Sequence, residues 1–179
     1  MSYNIEDSEI ARQYSIMAEV RALIGGGKRA FVQTFGCQQN EADSERLAGM
    51  LSEMGYSVIS DAADADLILI NTCAVREHAE LKALSITGQF KHLKENNPAL
   101  LIGICGCMVS QEHRRDDIKN RYPYVDFLLG TAGLYRFPEI LLGVIKTGKR
   151  SFNLELPGEG ETRVSGNIAE GLPVRRESG

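Results

Sequence analysis

Residues Leu67-Ile68-Leu69-Ile70 form an uninterrupted apolar stretch, and this stretch decides the fold. A strand in the middle of a parallel sheet is covered on both faces, so its residues do not alternate between apolar and polar. The run is also too short for a helix of ordinary length. It therefore predicts a central β-strand with helices packed on either side.

Two other apolar runs, Ala30 to Phe35 and Ala99 to Ile104, resemble the central run from Ala65 to Ile70, and a segment with helical periodicity follows each of the three. Repeated strand–helix units build parallel sheets. Shorter runs at residues 56–59 and 125–129 add two strands. We expect an α/β fold, namely a flavodoxin-like three-layer domain with a five-stranded, mostly parallel sheet in the strand order 2-1-3-4-5.

The expected helix boundaries rest on local signals. Asn40 is a plausible N-cap for the helix after the first strand, and Gly55 ends that helix. The fourth strand is expected over residues 100–104, with Cys105 at its final positions and a turn before Cys107. A last helix over residues 133–146 carries Pro138 near its start, where we expect a break.

Three cysteines stand where the long apolar runs end. Cys37, Cys73 and Cys107 recur at separations of 36 and 34 residues. Groups beyond the carboxyl ends of neighbouring strands gather at one edge of the sheet, and such strands lie about 4.8 Å apart. Three thiolates across that span match the ligands of a small iron–sulfur cluster. Structural zinc prefers four ligands with a C-x₂₋₄-C pair, and the chain has no such pair.

The surroundings of these cysteines favour thiolates. Gly36 and Gly106, each directly before a cysteine, leave room for backbone N–H groups to approach sulfur. Cys37 and Cys73 also precede predicted helices, whose N-terminal N–H groups lower the pKa of a thiol. Both features predict good ligands for iron.

Other polar residues fit a ligand role less well. The histidines, His78, His92 and His113, lie on predicted helices without a zinc-binding spacing, so we expect them to be exposed. Arg76 follows Cys73 and could reach the cluster edge or a substrate, although charges in the first helical turn are more often solvated. Cys105 is expected to be a small buried residue of the core.

Length and charge limit the range of functions. The chain has 179 residues, a formal net charge of −4 and a pI near 5.5, which argues against nucleic-acid binding by this chain alone. It lacks a membrane-spanning apolar run and a basic signal sequence, which predicts a cytoplasmic protein. We expect an amphipathic helical arm over residues 1–27, one domain over 28–150 and a tail or linker over 151–179.

Three segments carry a resemblance to a known family. They are residues 34–40 (TFGCQQN), 71–77 (NTCAVRE) and 106–111 (GCMVSQ). They resemble the signatures of the amino-terminal domain of radical-SAM methylthiotransferases, over about residues 28–150. Residues 43–44 and 75–79 are most similar to the MiaB-type enzymes, which methylthiolate isopentenylated adenosine beside the tRNA anticodon.

The resemblance implies that Cys37, Cys73 and Cys107 ligate an auxiliary [4Fe–4S] cluster whose open iron takes the sulfur species for transfer. It implies a sulfur donor, tRNA as a partner, and a following domain that binds S-adenosylmethionine and a second [4Fe–4S] cluster. The C-x₃-C-x₂-C motif of that domain is absent from this sequence. We therefore expect a piece of a longer enzyme, without a catalytic residue of its own and inactive alone.

Alternative functions remain at this point. A related methylthiotransferase could act on threonylcarbamoyl-adenosine in tRNA or on a ribosomal protein. A flavodoxin-like module could bind a nucleotide or flavin at the same edge, although the phosphate-binding glycine motifs are missing. A thiol redox enzyme could use Cys105 and Cys107, but their C-x-C spacing is not that of thioredoxin-like proteins.

Overall fold

The computed structural model describes residues 3–73 and 77–152, except for the side chains of residues 3–6 and 77. In chain order, the helices and strands are α1 (Tyr3–Ile24), β1 (Lys28–Phe35), α2 (Gln38–Glu53), β2 (Tyr56–Ile59), β3 (Leu67–Thr72), α3 (Glu77–Asn96), β4 (Leu101–Gly106), α4 (Glu112–Arg121), β5 (Phe127–Leu129) and α5 (Phe137–Thr147). Short 3₁₀ helices cover Ala62–Asp64, Cys107–Ser110 and Thr131–Arg136. No described helix has the length and apolar character needed to cross a membrane.

The five strands form one sheet in the order β2-β1-β3-β4-β5, and every pair is parallel. This confirms the predicted flavodoxin-like fold and its strand order. The register aligns Phe35 of β1 with Thr72 of β3, and Thr72 with Gly106 of β4. The carboxyl ends of the three central strands therefore finish at the same level.

The central strand β3 is buried at every position, as its apolar sequence predicts. Leu67 and Leu69 belong to a core that includes residues of α1, α2 and α5. Ile68 and Ile70 point to the opposite side, into a core that includes residues of α3 and α4. Each fully buried Leu or Ile stabilises the fold by roughly 1.5–3 kcal/mol, so β3 ties the two helical layers together.

The amino-terminal helix α1 packs on the domain's own surface. Met17 and Val20 are buried in the same core as residues of α5. Arg12 of α1 also forms an ion pair of 3.0 Å with Glu139 of α5. The helix ends before residues 25–27, three glycines with positive φ. The apolar stripe of this segment is thus used within the domain.

Two predicted boundaries at the carboxyl edge of the sheet were wrong. The N-cap of α2 is Cys37, and Asn40 lies three residues further on, in the first turn. Strand β4 continues through Cys105 to Gly106 because these residues pair with Asn71 and Thr72 of β3. A neighbouring strand therefore extends β4 beyond its apolar run.

The carboxyl-terminal part differs in detail as well. Pro138 lies in the first turn of α5 and does not break the helix, since the preceding residues 131–136 form a separate 3₁₀ helix. Ser151 forms a parallel bridge with Phe127 of β5. Arg76 and residues 153–179 of the expected tail lie outside the described residues.

Candidate metal centre

The three cysteines at the strand ends lie along one edge of the sheet. Cys73 directly follows β3, Cys107 directly follows β4, and Cys37 lies two residues after β1. Because the strands β1, β3 and β4 are neighbours in register, the chain brings these positions to a common rim. Cys37 is exposed, Cys107 is half-buried and Cys73 is 4% exposed.

The first two cysteines are in direct contact. The Cys73 side chain is a hydrogen-bond partner of the Cys37 thiol and contributes to lowering its pKa. Cys107 shares their rim through the pairing of Thr72 with Gly106. Within residues 3–73 and 77–152, no three His, Cys, Asp or Glu side chains are positioned to hold a single metal ion. Thiolates that bind different irons of one cluster are spaced more widely than the ligands of one ion.

The start of helix α2 sets the electrostatics of Cys37. As the N-cap residue it has an extended backbone, with φ −100° and ψ −179°, and its sulfur faces the N–H groups of the first turn. The backbone N–H of Asn40, followed by that of Gln39, lowers the pKa of the Cys37 thiol. This matches the prediction that a helix N-terminus favours a thiolate here, although the sequence did not indicate that Cys37 itself would cap the helix.

The two glycines before the cysteines lie in close contact with other protein atoms of the rim. A Cβ at position 36, where φ is +142°, would lie 2.4 Å from Asn40 Oδ1 and 2.7 Å from the Cys73 Cβ. At position 106, where φ is +106°, it would lie 2.1 Å from the Thr72 carbonyl oxygen. Real Cβ atoms do not approach so closely, so these glycines make room for protein atoms that hold the rim together.

Two buried asparagines lie directly behind this rim. Asn71 Nδ2 donates to the Asn40 carbonyl oxygen at 2.8 Å and to Ser44 Oγ at 2.9 Å. Asn40 Nδ2 donates to Asn71 Oδ1 at 3.2 Å, and Asn40 Oδ1 accepts from the Cys37 backbone N–H, also at 3.2 Å. Neither asparagine was predicted to be a site residue. The sequence feature that could have indicated the site is Asn71, an amide at the end of an otherwise apolar strand.

The residues present fit an iron–sulfur cluster by their chemistry. Three thiols share a rim, and one of them already accepts backbone N–H groups, the donors that stabilise negative sulfur. The Thr72 hydroxyl, next to Cys73, is buried and has no hydrogen-bond partner among the described residues. The rim thus combines a matching set of ligands with an unused polar group.

The other candidate residues lie away from the rim. Cys105 is fully buried in the core below α2 and α5, its thiol donates to the Ile70 carbonyl oxygen at 3.6 Å, and burial raises its pKa. All four cysteines are free thiols, so Cys105 and Cys107 form no disulfide. The three histidines are exposed helical residues, as predicted: His78, His92 and His113.

Comparison with known proteins shows the family of this chain. Residues 29–130 match the model of an uncharacterized protein family, UPF0004. The chain is similar to proteins named tRNA-2-methylthio-N(6)-dimethylallyladenosine synthase. In Clostridioides difficile the identity is 44% over 153 residues, covering 86% of this chain and 30% of the relative. In Thermoanaerobacter sp. it is 40% over 176 residues, covering 97% and 36%.

A third relative of the same name, from Clostridium beijerinckii, is 46% identical over 151 residues, or 84% of this chain and 32% of the relative. The chain thus spans about a third of the length of these relatives. The predicted resemblance to MiaB-type methylthiotransferases is confirmed, and the chain belongs to the UPF0004 family.

Proposed function

We propose that this chain is the auxiliary [4Fe–4S] domain of a tRNA-2-methylthio-N6-dimethylallyladenosine synthase, a radical-SAM tRNA methylthiotransferase. The observation that carries the proposal is the shared rim of Cys37, Cys73 and Cys107 at the ends of three adjacent parallel strands. The names of the relatives favour the dimethylallyl-adenosine substrate over threonylcarbamoyl-adenosine or a ribosomal protein.

In this proposal each cysteine supplies one thiolate. The pKa of the Cys37 thiol is lowered because the backbone N–H groups of Asn40 and Gln39 stabilise its sulfur, which favours ligation as a thiolate. Cys73 holds its thiolate in a buried position, and Cys107 adds a half-buried one. When bound, the cluster would offer one iron without a protein ligand as the site for the sulfur species.

The transfer itself requires parts that this sequence does not contain. Its four cysteines include no C-x₃-C-x₂-C motif for a second cluster and S-adenosylmethionine. We therefore expect the 179-residue chain alone to hold sulfur without turning over. The full-length enzyme would meet tRNA in the cytoplasm, take up sulfur from a donor, and use its other domains for radical chemistry and RNA binding.

Anaerobic reconstitution with iron and sulfide tests the ligand assignment. We expect about four irons per chain and a brown charge-transfer band in the wild type. Replacing Cys37, Cys73 or Cys107 with alanine should abolish both signals. The matched control is Cys105→Ala, which should retain them because Cys105 lies in the core.

Two results would contradict the proposal. One is loss of the cluster in a folded Cys105→Ala variant but not in the three rim variants. The other is a wild-type chain that takes up zinc or flavin but no iron and sulfide. Circular dichroism of each variant separates loss of a ligand from loss of the fold.

A further inference from the structure

The hydrogen bonds behind Cys37 form a chain with a fixed direction. Its inner end is the Asn40 main-chain carbonyl oxygen, which can only accept, so the group of Asn71 that faces it must be the Nδ2 donor. Asn71 Oδ1 is then left to face Asn40, whose Nδ2 must point back at it. Asn40 Oδ1 is consequently directed at Cys37.

The outer end of the chain requires the same orientation independently. The Cys37 backbone N–H can only donate, and it points at Asn40 Oδ1. The Cys37 Sγ lies 3.3 Å from that same oxygen. Neither amide can be flipped without placing two acceptors or two donors face to face. The residues are 2% and 1% exposed, so solvent cannot compensate for such a mismatch.

We propose that Asn40 and Asn71 are positioning residues for Cys37, which pin its main chain and hold the side-chain oxygen of Asn40, and not its side-chain amide nitrogen, against the Cys37 sulfur. The inference rests on the proposed function, in which Cys37 is a cluster ligand. The negative end of an amide dipole near the sulfur opposes the addition of an electron to a cluster bound there. The amide chain would thus keep the reduction potential of that cluster low.

Two substitutions at one position separate the two parts of the inference. Both Asn40→Ala and Asn40→Asp remove the Nδ2 donor to Asn71. The alanine variant also removes the oxygen at Cys37, whereas the aspartate variant keeps it and adds negative charge. We expect the midpoint potential of the reconstituted cluster to rise in Asn40→Ala and to fall in Asn40→Asp. A purely structural role predicts shifts in one direction or none.

Hydrogen exchange in the metal-free chain tests the pinning of the main chain. In Asn40→Ala, the Cys37 amide loses its acceptor and should exchange at least about tenfold faster. In Asn40→Asp it should exchange no faster than in the wild type. We also expect iron loss to a chelator to be about 10- to 100-fold faster in Asn40→Ala, the usual effect of losing a residue that supports a ligand.

A matched control is Asn97→Ala, which removes another asparagine side chain, bonded to the Ala99 N–H near the opposite edge of the sheet. It should leave the potential and the exchange of Cys37 unchanged. Potentials that move in the same direction in both Asn40 variants, or an unchanged Cys37 exchange rate in Asn40→Ala, would overturn the inference. If the wild type binds no cluster, the proposed function fails, and the metal-free exchange experiment still decides the positioning role.

Discussion

The two edges of the sheet satisfy their polar groups in opposite ways. At the amino edge, carboxylates close the strand ends. Asp66 Oδ2 accepts from the Arg29 N–H at 2.8 Å, and Asp126 Oδ2 accepts from the Ile102 N–H at 2.8 Å and from Lys94 Nζ at 2.6 Å. Each of these charges meets a partner inside the domain.

At the carboxyl edge, β3 ends in an uncharged amide, Asn71, and its hydrogen bonds lead outward through Asn40 to Cys37. The rim combines three thiols. Cys37 is exposed in the loop before α2, Cys107 is half-buried after β4, and Cys73 is buried after β3. The amino edge thus pairs its charges within the domain, whereas the amide hydrogen bonds of the carboxyl edge end at a cysteine of the rim. Substitutions at both edges test this comparison.

The largest effect is expected at the carboxyl edge, from Gly106→Ala. A non-glycine residue at positive φ costs roughly 1–3 kcal/mol, and the new methyl group would meet the Thr72 carbonyl oxygen at 2.1 Å. We expect the free energy of unfolding, measured by urea denaturation, to fall by about 3 kcal/mol or more.

The matched control for that substitution is Gly143→Ala, which has no atom within 4 Å of the added Cβ and lies in helix α5. It should stabilise the chain by up to about 1 kcal/mol, because alanine has the higher helix propensity. Equal effects of the two substitutions would mean that the rim is not closely packed.

An intermediate effect is expected at the amino edge, from Asp126→Ala. The substitution leaves the Ile102 N–H without its acceptor and Lys94 with only the Leu100 carbonyl oxygen, and hydrogen bonds to charged groups contribute about 1.5–3 kcal/mol. Stability should fall by about that amount, while iron uptake by the folded chain stays at the wild-type level.

Asp64→Ala is the control, since its ion pair with Arg29 is exposed and such pairs contribute about 0–1 kcal/mol. If Asp126→Ala abolished iron uptake in chains that are still folded, the two edges would not be independent.

The smallest effect is expected from Glu139, which lies in α5 outside both edges. Partial burial opposes its ionisation, but hydrogen bonds from Arg136 and Arg12 lower its pKa to about 2 from the usual 4.5. The ionised form is therefore favoured by folding. This contribution is complete above pH 4.5 and is lost as the pH falls toward 2.

Thermal unfolding at pH 5 and pH 3 measures this contribution against Glu139→Gln, which has no ionisable group there. The Tm of the wild type should fall further between pH 5 and pH 3 than the Tm of the variant does. Identical losses would show that the ionised Glu139 carboxylate contributes nothing to stability.

The sequence predicted the sheet and the rim because both follow from apolar runs and topology. Leu67 to Ile70 could only be a strand buried on both faces, and the strand order then placed three cysteines at one edge. The N-cap of α2 was assigned wrongly because cysteine is not among the usual capping residues, whereas Asn40 is. The tertiary structure at the rim, and not the capping preference of the residue type, determines where α2 begins.

The hydrogen bonds from Asn71 through Asn40 to Cys37 could not be predicted from the sequence, for a different reason. Asn40 and Asn71 are 31 residues apart, and their bonds exist only because β1, α2 and β3 converge. The sequence around each asparagine does not indicate that the other asparagine is its hydrogen-bond partner. The end of β4 was misjudged for the same reason, since Cys105 and Gly106 are held in the strand by pairing with β3.

The placement of the thiols has a consequence for the order of assembly. In the unfolded chain the only cysteines close together are Cys105 and Cys107, a pair that a metal ion could capture wrongly. Folding removes that competitor by enclosing Cys105 in the core, and it assembles Cys37, Cys73 and Cys107 from distant parts of the chain. A cofactor at this rim would therefore be inserted after the chain has folded, and would then stabilise the native state by mass action.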